Sequence, residues 1–199
     1  MNAITLAADD KPAPKPEPAD RLEEQLSFKS RFVLVFGEID DKIAQATCRR
    51  LLALSEESTA PITMLISSPG GHVESGDAIH DMIGFVRAPV TTVGTGWVAS
   101  AGAHIFLAPP KERRVCLPNT RFMIHQPAGG AGGQATDIAI MAREIIKTRE
   151  RIAKVIAKQT GKALAGVLAD MERDYWMSAE EAVAYGIVSR VISNQKDLG

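Results

Sequence analysis

The sequence predicts an α/β protein whose parallel sheet is covered by helices, and three observations predict it. Apolar, β-branched runs at 31–36, 62–66 and 90–93 alternate with helical patterns, the signature of βα units. Glycine-bearing turns follow two of these runs, Ser68-Pro69-Gly70-Gly71 and the segment around Ser100. They fall at the carboxyl ends of the strands, where open parallel sheets take their ligands, so both should face one crevice. The 199 residues are 45% hydrophobic and 24% charged, enough to bury one core in a single domain with an extension.

The elements follow in chain order. Residues 1–25 read as a proline-rich flexible tail, in which Pro12, Pro14, Pro16 and Pro18 alternate with charged residues. A short helix can begin at 21–25, and the folded domain spans 26–199. Strand 31–36 closes at Gly37, and Asp40 and Asp41 start a helix carrying Ile43, Thr47, Leu51 and Leu54 on one face. Strand 62–66 leads through Gly70-Gly71 to a helix bearing Ile79, Met82, Ile83 and Val86, and the third strand is 90–93. Residues 115–117 and 121–125 read as further strands. The glycine-rich piece 129–133 lacks the Lys-Ser/Thr of a phosphate loop. It is either a peptide-accepting sheet edge or a plain flexible loop, and both readings stay open. A long helix, 137–158, repeats Ile138, Met141, Ile145, Thr148, Ile152 and Val155 at threes and fours and stops at Gly161. At ~1.5 Å per residue it is longer than a sheet needs for cover, so its apolar stripe calls for a partner surface such as another subunit. A helix at 163–171, a strand at 175–177, a capped helix from Ser178 and a strand at 187–192 complete the chain.

Composition excludes several classes. A net charge of −1 carries no electrostatic footprint for nucleic acid or an anionic membrane. No apolar run reaches membrane-spanning length, and no secretory signal is evident. Cys48 and Cys116 lie far apart outside any CxxC or His-rich context, so each reads as a small core residue, and no metal site is expected. A cytoplasmic location fits best.

The chemistry centres on residues 94–103. Ser100 stands at a turn between an apolar run and a helix, flanked by small residues that let its side chain stand clear. The G-x-S-x-G pattern is absent, because Val98 and Gly102 occupy those offsets. Ser100 is therefore either a raised nucleophile or an ordinary helix cap. A serine hydroxyl needs a neighbouring base, and the base needs a third group to fix its tautomer. Of four histidines, His80 and His104 read as structural or surface residues, His72 follows a turn, and His125 ends a strand on the Ser100 edge. Taken singly, His125 reads as a structural histidine and Asp174, beside Arg173, as a solvated pair.

In combination the motifs say more. Ser68-Pro69-Gly70-Gly71, Ala99-Ser100-Ala101-Gly102-Ala103, Leu117-Pro118-Asn119, Met123-Ile124-His125-Gln126-Pro127, Gly133-Gln134-Ala135-Thr136-Asp137, Glu172-Arg173-Asp174 and the closing Met177-Ser178-Ala179-Glu180-Glu181-Ala182 appear in this order. Over residues 31–193 the chain closely resembles the ClpP family, the proteolytic subunits of the Clp protease. The resemblance implies the ClpP/crotonase fold, a head of repeated ββα-type units with a protruding handle at about 126–160. It implies a serine endopeptidase with Ser100 as nucleophile, His125 as general base and Asp174 as its orienting group. Gly71 and Ala101 match the backbone oxyanion donors, and substrate would lie as an added strand along Gly71, His72 and Val73 and along Ala128, Gly129, Gly130 and Ala131. It further implies paired seven-membered rings (a tetradecamer of this chain, or one shared with a paralogue) and unfolded protein substrates. A Clp-family ATPase would use the ATP, and this chain would carry no cofactor. Rival readings are a crotonase-type acyl-CoA enzyme and a non-catalytic ring subunit. Three features depart from the family pattern: Thr63 and Leu65 stand where docking aromatics are usual, the proline-rich tail replaces the pore segment, and Ala101 follows the nucleophile. The first two predict weak docking of the usual ATPase.

Overall fold

A computed structural model describes residues 18–130 and 132–198, the side chains of 18–21 excepted. The described chain divides into two units, one ending at Ser30 and one beginning at Arg31. In the first, α1 occupies Pro18–Lys29, longer at both ends than the short helix expected to begin at 21–25. The remainder of the proline-rich tail lies outside the described residues.

In the second unit the elements are β1 (Phe32–Phe36), α2 (Asp41–Glu57), β2 (Ile62–Ser68), α3 (Val73–Phe85), β3 (Val90–Ala99), α4 (Ala101–Phe106), β4 (Arg114–Cys116), β5 (Arg121–Ile124), α5 (Ala135–Thr160), α6 (Leu164–Asp170), β6 (Tyr175–Met177), α7 (Ala179–Tyr185) and β7 (Arg190–Val191). The sheet order is β1-β2-β3-β4-β7, with every pair parallel. β5 pairs in parallel with the end of β3 and antiparallel with β6. β3 therefore forks the sheet: Thr92, Val93 and Gly94 hold β4, while Trp97, Val98 and Ala99 hold β5.

That fork corrects the short strand expected at 90–93. Gly94-Thr95-Gly96 reads as a turn, yet it is a bulge within one ten-residue strand. The β2 register jumps there from Ile66↔Gly94 to Ser68↔Val98, and Gly96 takes the left-handed φ of 59°. The extra residues steer the end of β3, and hence Ser100, onto β5.

The core lies between this sheet and α2, α3 and α4. Ile62, Met64 and Ile66 alternate inward on β2, while Leu51 and Leu54 of α2 and Ile79 of α3 are fully buried. All six residues of α4 are buried, which is why that helix is small and, His104 apart, apolar. Arg31, itself at φ 57°, closes the end of α2 by donating to the carbonyls of Leu54, Ser58, Ala60 and Pro61 and to the Glu57 carboxylate. Ser178 and Glu181 form the expected capping box. The last strand is shorter than read, because the Ile187 and Val188 N–H groups turn back to the Ala182 carbonyl and close α7.

α5 runs 26 residues and ends at left-handed Gly161. Its expected stripe divides along the length. The C-terminal half buries Ala153 and Ile156, whereas Ile138, Ile140, Met141 and Ile146 of the N-terminal half are exposed in the single chain. The glycine-rich segment before it pairs with no strand among the described residues.

Candidate active site

The site assembles where β3, β5 and the Gly70-Gly71 turn meet. Ser100 is held at φ 54° and ψ −121°, a conformation costly to a residue with a Cβ. Its N–H donates to the Met123 carbonyl of β5 at 2.9 Å, and its carbonyl accepts from the His104 N–H of α4 at 3.1 Å. The helix-cap reading fails, since the side chain makes no cap hydrogen bond. Oγ lies instead 2.7 Å from His125 Nε2.

His125 follows directly on β5, and its Nδ1 is 2.9 Å from Asp174 Oδ1. A carboxylate can only accept, so Nδ1 carries the proton and Nε2 is free to accept from the Ser100 hydroxyl. Asp174 reaches the ring because its segment is tied down. Gln126 N–H donates to the Met171 carbonyl at 2.7 Å, and Gln126 Nε2 to the Glu172 carbonyl at 3.0 Å. Arg149 of α5 grips the Glu172 carboxylate at 2.6 Å. Asp174 is thus the partner of His125 rather than a solvated mate of Arg173.

The Gly70-Gly71 turn presses on the nucleophile. A Cβ on Gly70 would stand 2.5 Å from Ser100 Cβ, and one on Gly71 would collide with the Ile39 carbonyl. Both glycines have positive φ, 101° and 144°. Ile39 N–H donates to the Gly70 carbonyl, and His72 N–H to the Ile39 carbonyl, which pins the turn to the chain after β1. The backbone N–H groups of Gly71 and Ala101 have no acceptor among the described residues.

The remaining candidate residues separate. Val73 borders a pocket beside Ser100 and His125. Ala128 and Gly129 border a neighbouring groove with His125, Glu172 and Asp174. Gly130 is exposed, and Ala131 lies outside the described residues. The His72 ring turns away to the start of α3, with Nδ1 2.8 Å from Ser75 Oγ and Nε2 3.1 Å from the Glu74 carboxylate.

One polar cluster escaped the sequence reading. His104, one helical turn beyond Ser100, is buried and borders the same pocket. Its Nε2 lies 2.9 Å from Asp77 Oδ1, and Arg151 of α5 clamps the same carboxylate at 2.7 and 2.6 Å. Burial pushes the Asp77 carboxyl up, but the hydrogen bonds from His104 and Arg151 outweigh it and hold the group well below the usual carboxylate range. His80 stacks on His104 with centroids 4.4 Å apart, and burial pushes its imidazole down. The available signal was a histidine inside an otherwise apolar helix, four residues from the candidate nucleophile.

The family model described as Clp protease matches residues 19–195. A relative from Rhizobium etli, named ATP-dependent Clp protease proteolytic subunit 3, is 52% identical over 91% of this chain and 93% of its own length. One from Gluconobacter oxydans, named proteolytic subunit 2 of the same protease, is 55% identical over 96% of this chain and 91% of its own. The solved structure of ClpP1 from Listeria monocytogenes superposes with a TM-score of 0.81 at 48% identity, covering 89% of this chain and 99% of that one.

Proposed function

The chain belongs to the Clp protease family, and on that premise we propose that Ser100 is the nucleophile, His125 the general base and Asp174 the group that orients the base. The protein is a serine peptidase, a proteolytic subunit of a Clp-type protease, and it has the α/β fold of ClpP structures. One observation carries the assignment of roles: a single imidazole bonds Ser100 Oγ through Nε2 and the Asp174 carboxylate through Nδ1.

In the reading proposed, His125 Nε2 takes the hydroxyl proton as Ser100 Oγ attacks the scissile carbonyl. The oxyanion that forms is met by the unoccupied N–H groups of Gly71 and Ala101, and each such donor contributes about 3–4 kcal/mol to the transition state. His125 then returns the proton to the leaving amine, and water repeats the sequence to release the acyl group. An extended peptide lies along 71–73 and 128–131 and adds its backbone hydrogen bonds there.

Assembly belongs to the same proposal. The exposed Ile138, Ile140, Met141 and Ile146 on α5 support stacking of two seven-membered rings through this helix. The relatives are named ATP-dependent, and the ATP chemistry is assigned to a partner ATPase that feeds unfolded protein, in the cytoplasm. No described helix is long and apolar enough to cross a membrane. Docking by a usual Clp ATPase is weak, because Thr63 and Leu65 contribute no aromatic ring, although Leu34 and Phe36 of neighbouring β1 are exposed. The acyl-CoA and non-catalytic readings are not favoured by relatives named as proteolytic subunits.

The test compares wild type with Ser100→Ala on a fluorogenic peptide and an unfolded protein, with sedimentation of both. The expected result is a loss on the order of 10⁴-fold or more without change of assembly. Undiminished hydrolysis by the variant overturns the assignment. Met141→Glu should give single rings or smaller species, and an intact double ring would count against stacking through α5.

A further inference from the structure

α4 starts directly after Ser100, and its first residue, Ala101, offers the N–H assigned to the oxyanion. Ser100 sits at φ 54°, a conformation that persists only where the surroundings over-determine it. Two consecutive residues of α3 press on this turn. A Cβ on Gly76 would stand 3.2 Å from Ala101 Cβ, tighter than ordinary contact, so α3 lies directly against the residue after the nucleophile. The next residue, Asp77, reaches one turn further along α4 and accepts from His104 Nε2 at 2.9 Å. His104 in turn donates its backbone N–H to the Ser100 carbonyl at 3.1 Å. A short path therefore runs from the Asp77 carboxylate, through one residue, to the backbone of the nucleophile.

The carboxylate is itself held from the other side. Arg151 of α5 donates to Oδ1 at 2.7 Å and to Oδ2 at 2.6 Å, a two-pronged grip that fixes both the position and the plane of the group. The His80 ring, stacked on His104 at 4.4 Å and 11° from parallel, keeps the imidazole from tilting away. Stability does not account for this cluster. Apolar residues of similar volume often match or exceed a buried ion pair in stability. Two buried ring nitrogens, His80 Nε2 and His104 Nδ1, also lack a hydrogen-bond partner among the described residues, which is a standing cost. What the imidazole supplies, in a helix otherwise apolar, is a point by which Asp77 can hold α4.

We infer that Asp77 is a positioning residue for the nucleophile. Arg151 sets its carboxylate, the carboxylate sets His104, and His104 holds Ser100 and Ala101 in the register that the attack requires. Asp77 touches neither the substrate nor the reacting atoms, so its effect falls on the rate of attack and not on peptide binding. The inference rests on Ser100 being the nucleophile.

The test measures kcat and KM on a fluorogenic peptide, and the rate at which a fluorophosphonate modifies Ser100, in the full-length protein and its variants. Asp77→Asn and His104→Leu should each lower kcat and the labelling rate on the order of 10- to 100-fold, as a small misplacement of a reacting group does, with KM little changed. The double variant should lose no more than the worse single one, because both act on one path. His104→Gln returns a side-chain N–H towards the carboxylate and should recover part of both rates. Arg31→Ala is the control: it weakens the end of α2 instead and should keep wild-type kcat while lowering the urea midpoint. Arg151→Ala alters a half-exposed side chain and gives the same readout, with a smaller loss, if Asp77→Asn does not fold. Wild-type kcat and labelling rate in these variants overturn the inference, as does a change confined to KM or a loss of kcat that merely tracks the urea midpoint across all of them, Arg31→Ala included. Failure of the fluorophosphonate to modify Ser100 in wild type would overturn the nucleophile itself, whereas Ser100 labelled at equal rates throughout would overturn only the role of Asp77.

Discussion

Adding one methyl group at Gly70 perturbs the nucleophile without replacing any group of the triad. The new Cβ would stand 2.5 Å from Ser100 Cβ and 3.0 Å from Oγ, where ordinary contact begins near 3.4 Å. Ser100 or the turn must therefore yield by roughly 1 Å, and a displacement of that size costs on the order of 100-fold in rate. Gly70 also sits at φ 101°, so alanine there adds about 1–2 kcal/mol of backbone strain. Gly70→Ala should show kcat for peptide hydrolysis reduced about 100-fold, slower phosphonylation of Ser100, and a denaturation midpoint lowered to match the strain. Gly84→Ala is the control, since a Cβ there meets nothing within 4 Å and the residue lies inside α3. It should keep full activity and gain up to about 1 kcal/mol of stability. Wild-type kcat in Gly70→Ala would refute the close approach of this turn to the nucleophile.

Further outcomes follow from the same geometry. Asp174→Asn removes the acceptor that holds the His125 proton on Nδ1, and kcat should fall at least ~100-fold with KM little changed; an unaffected kcat would show that the 2.9 Å bond does not orient the base. Arg31→Ala deprives four carbonyls at the end of α2 of their donor and should destabilise the fold by about 2–4 kcal/mol in urea, with no direct effect on the site. Burial pushes the Cys116 thiol up to about 11, and the side chain is fully buried, so at pH 8 iodoacetamide should modify it only when the chain is unfolded; equal modification of folded and unfolded protein would contradict that burial.

Much of the architecture was legible because it is written locally. Alternation of apolar runs with helical periodicity marks β1, α2, β2 and α3, and Asp40 and Ser178 announce the starts of their helices as capping residues do. The misreadings occur where a distant partner overrides a local pattern. Gly94-Thr95-Gly96 resembles a turn until β2 on one side and β4 and β5 on the other hold it in a bulged strand. Residues 187–192 resemble a strand until the Ala182 carbonyl claims two of their N–H groups. Ser100 could be read as a cap because its φ of 54° is imposed from β5, through a bond to the Met123 carbonyl. His125 and Asp174 are 49 residues apart, and no periodicity connects them; only the ordered set of motifs did. His104, Asp77 and Arg151 come from three helices and formed part of no motif, so their association became visible only with the fold.

The central claim is that Ser100 is a nucleophile activated by His125, and covalent modification tests it most directly. Wild type and His125→Ala are exposed to a fluorophosphonate, and the modified residue is located by mass spectrometry of proteolytic fragments. The account predicts a single adduct on Ser100 in wild type, forming at least ~1,000-fold more slowly in His125→Ala because the hydroxyl has lost its base. An adduct on another serine, or equal rates in the two proteins, would contradict it.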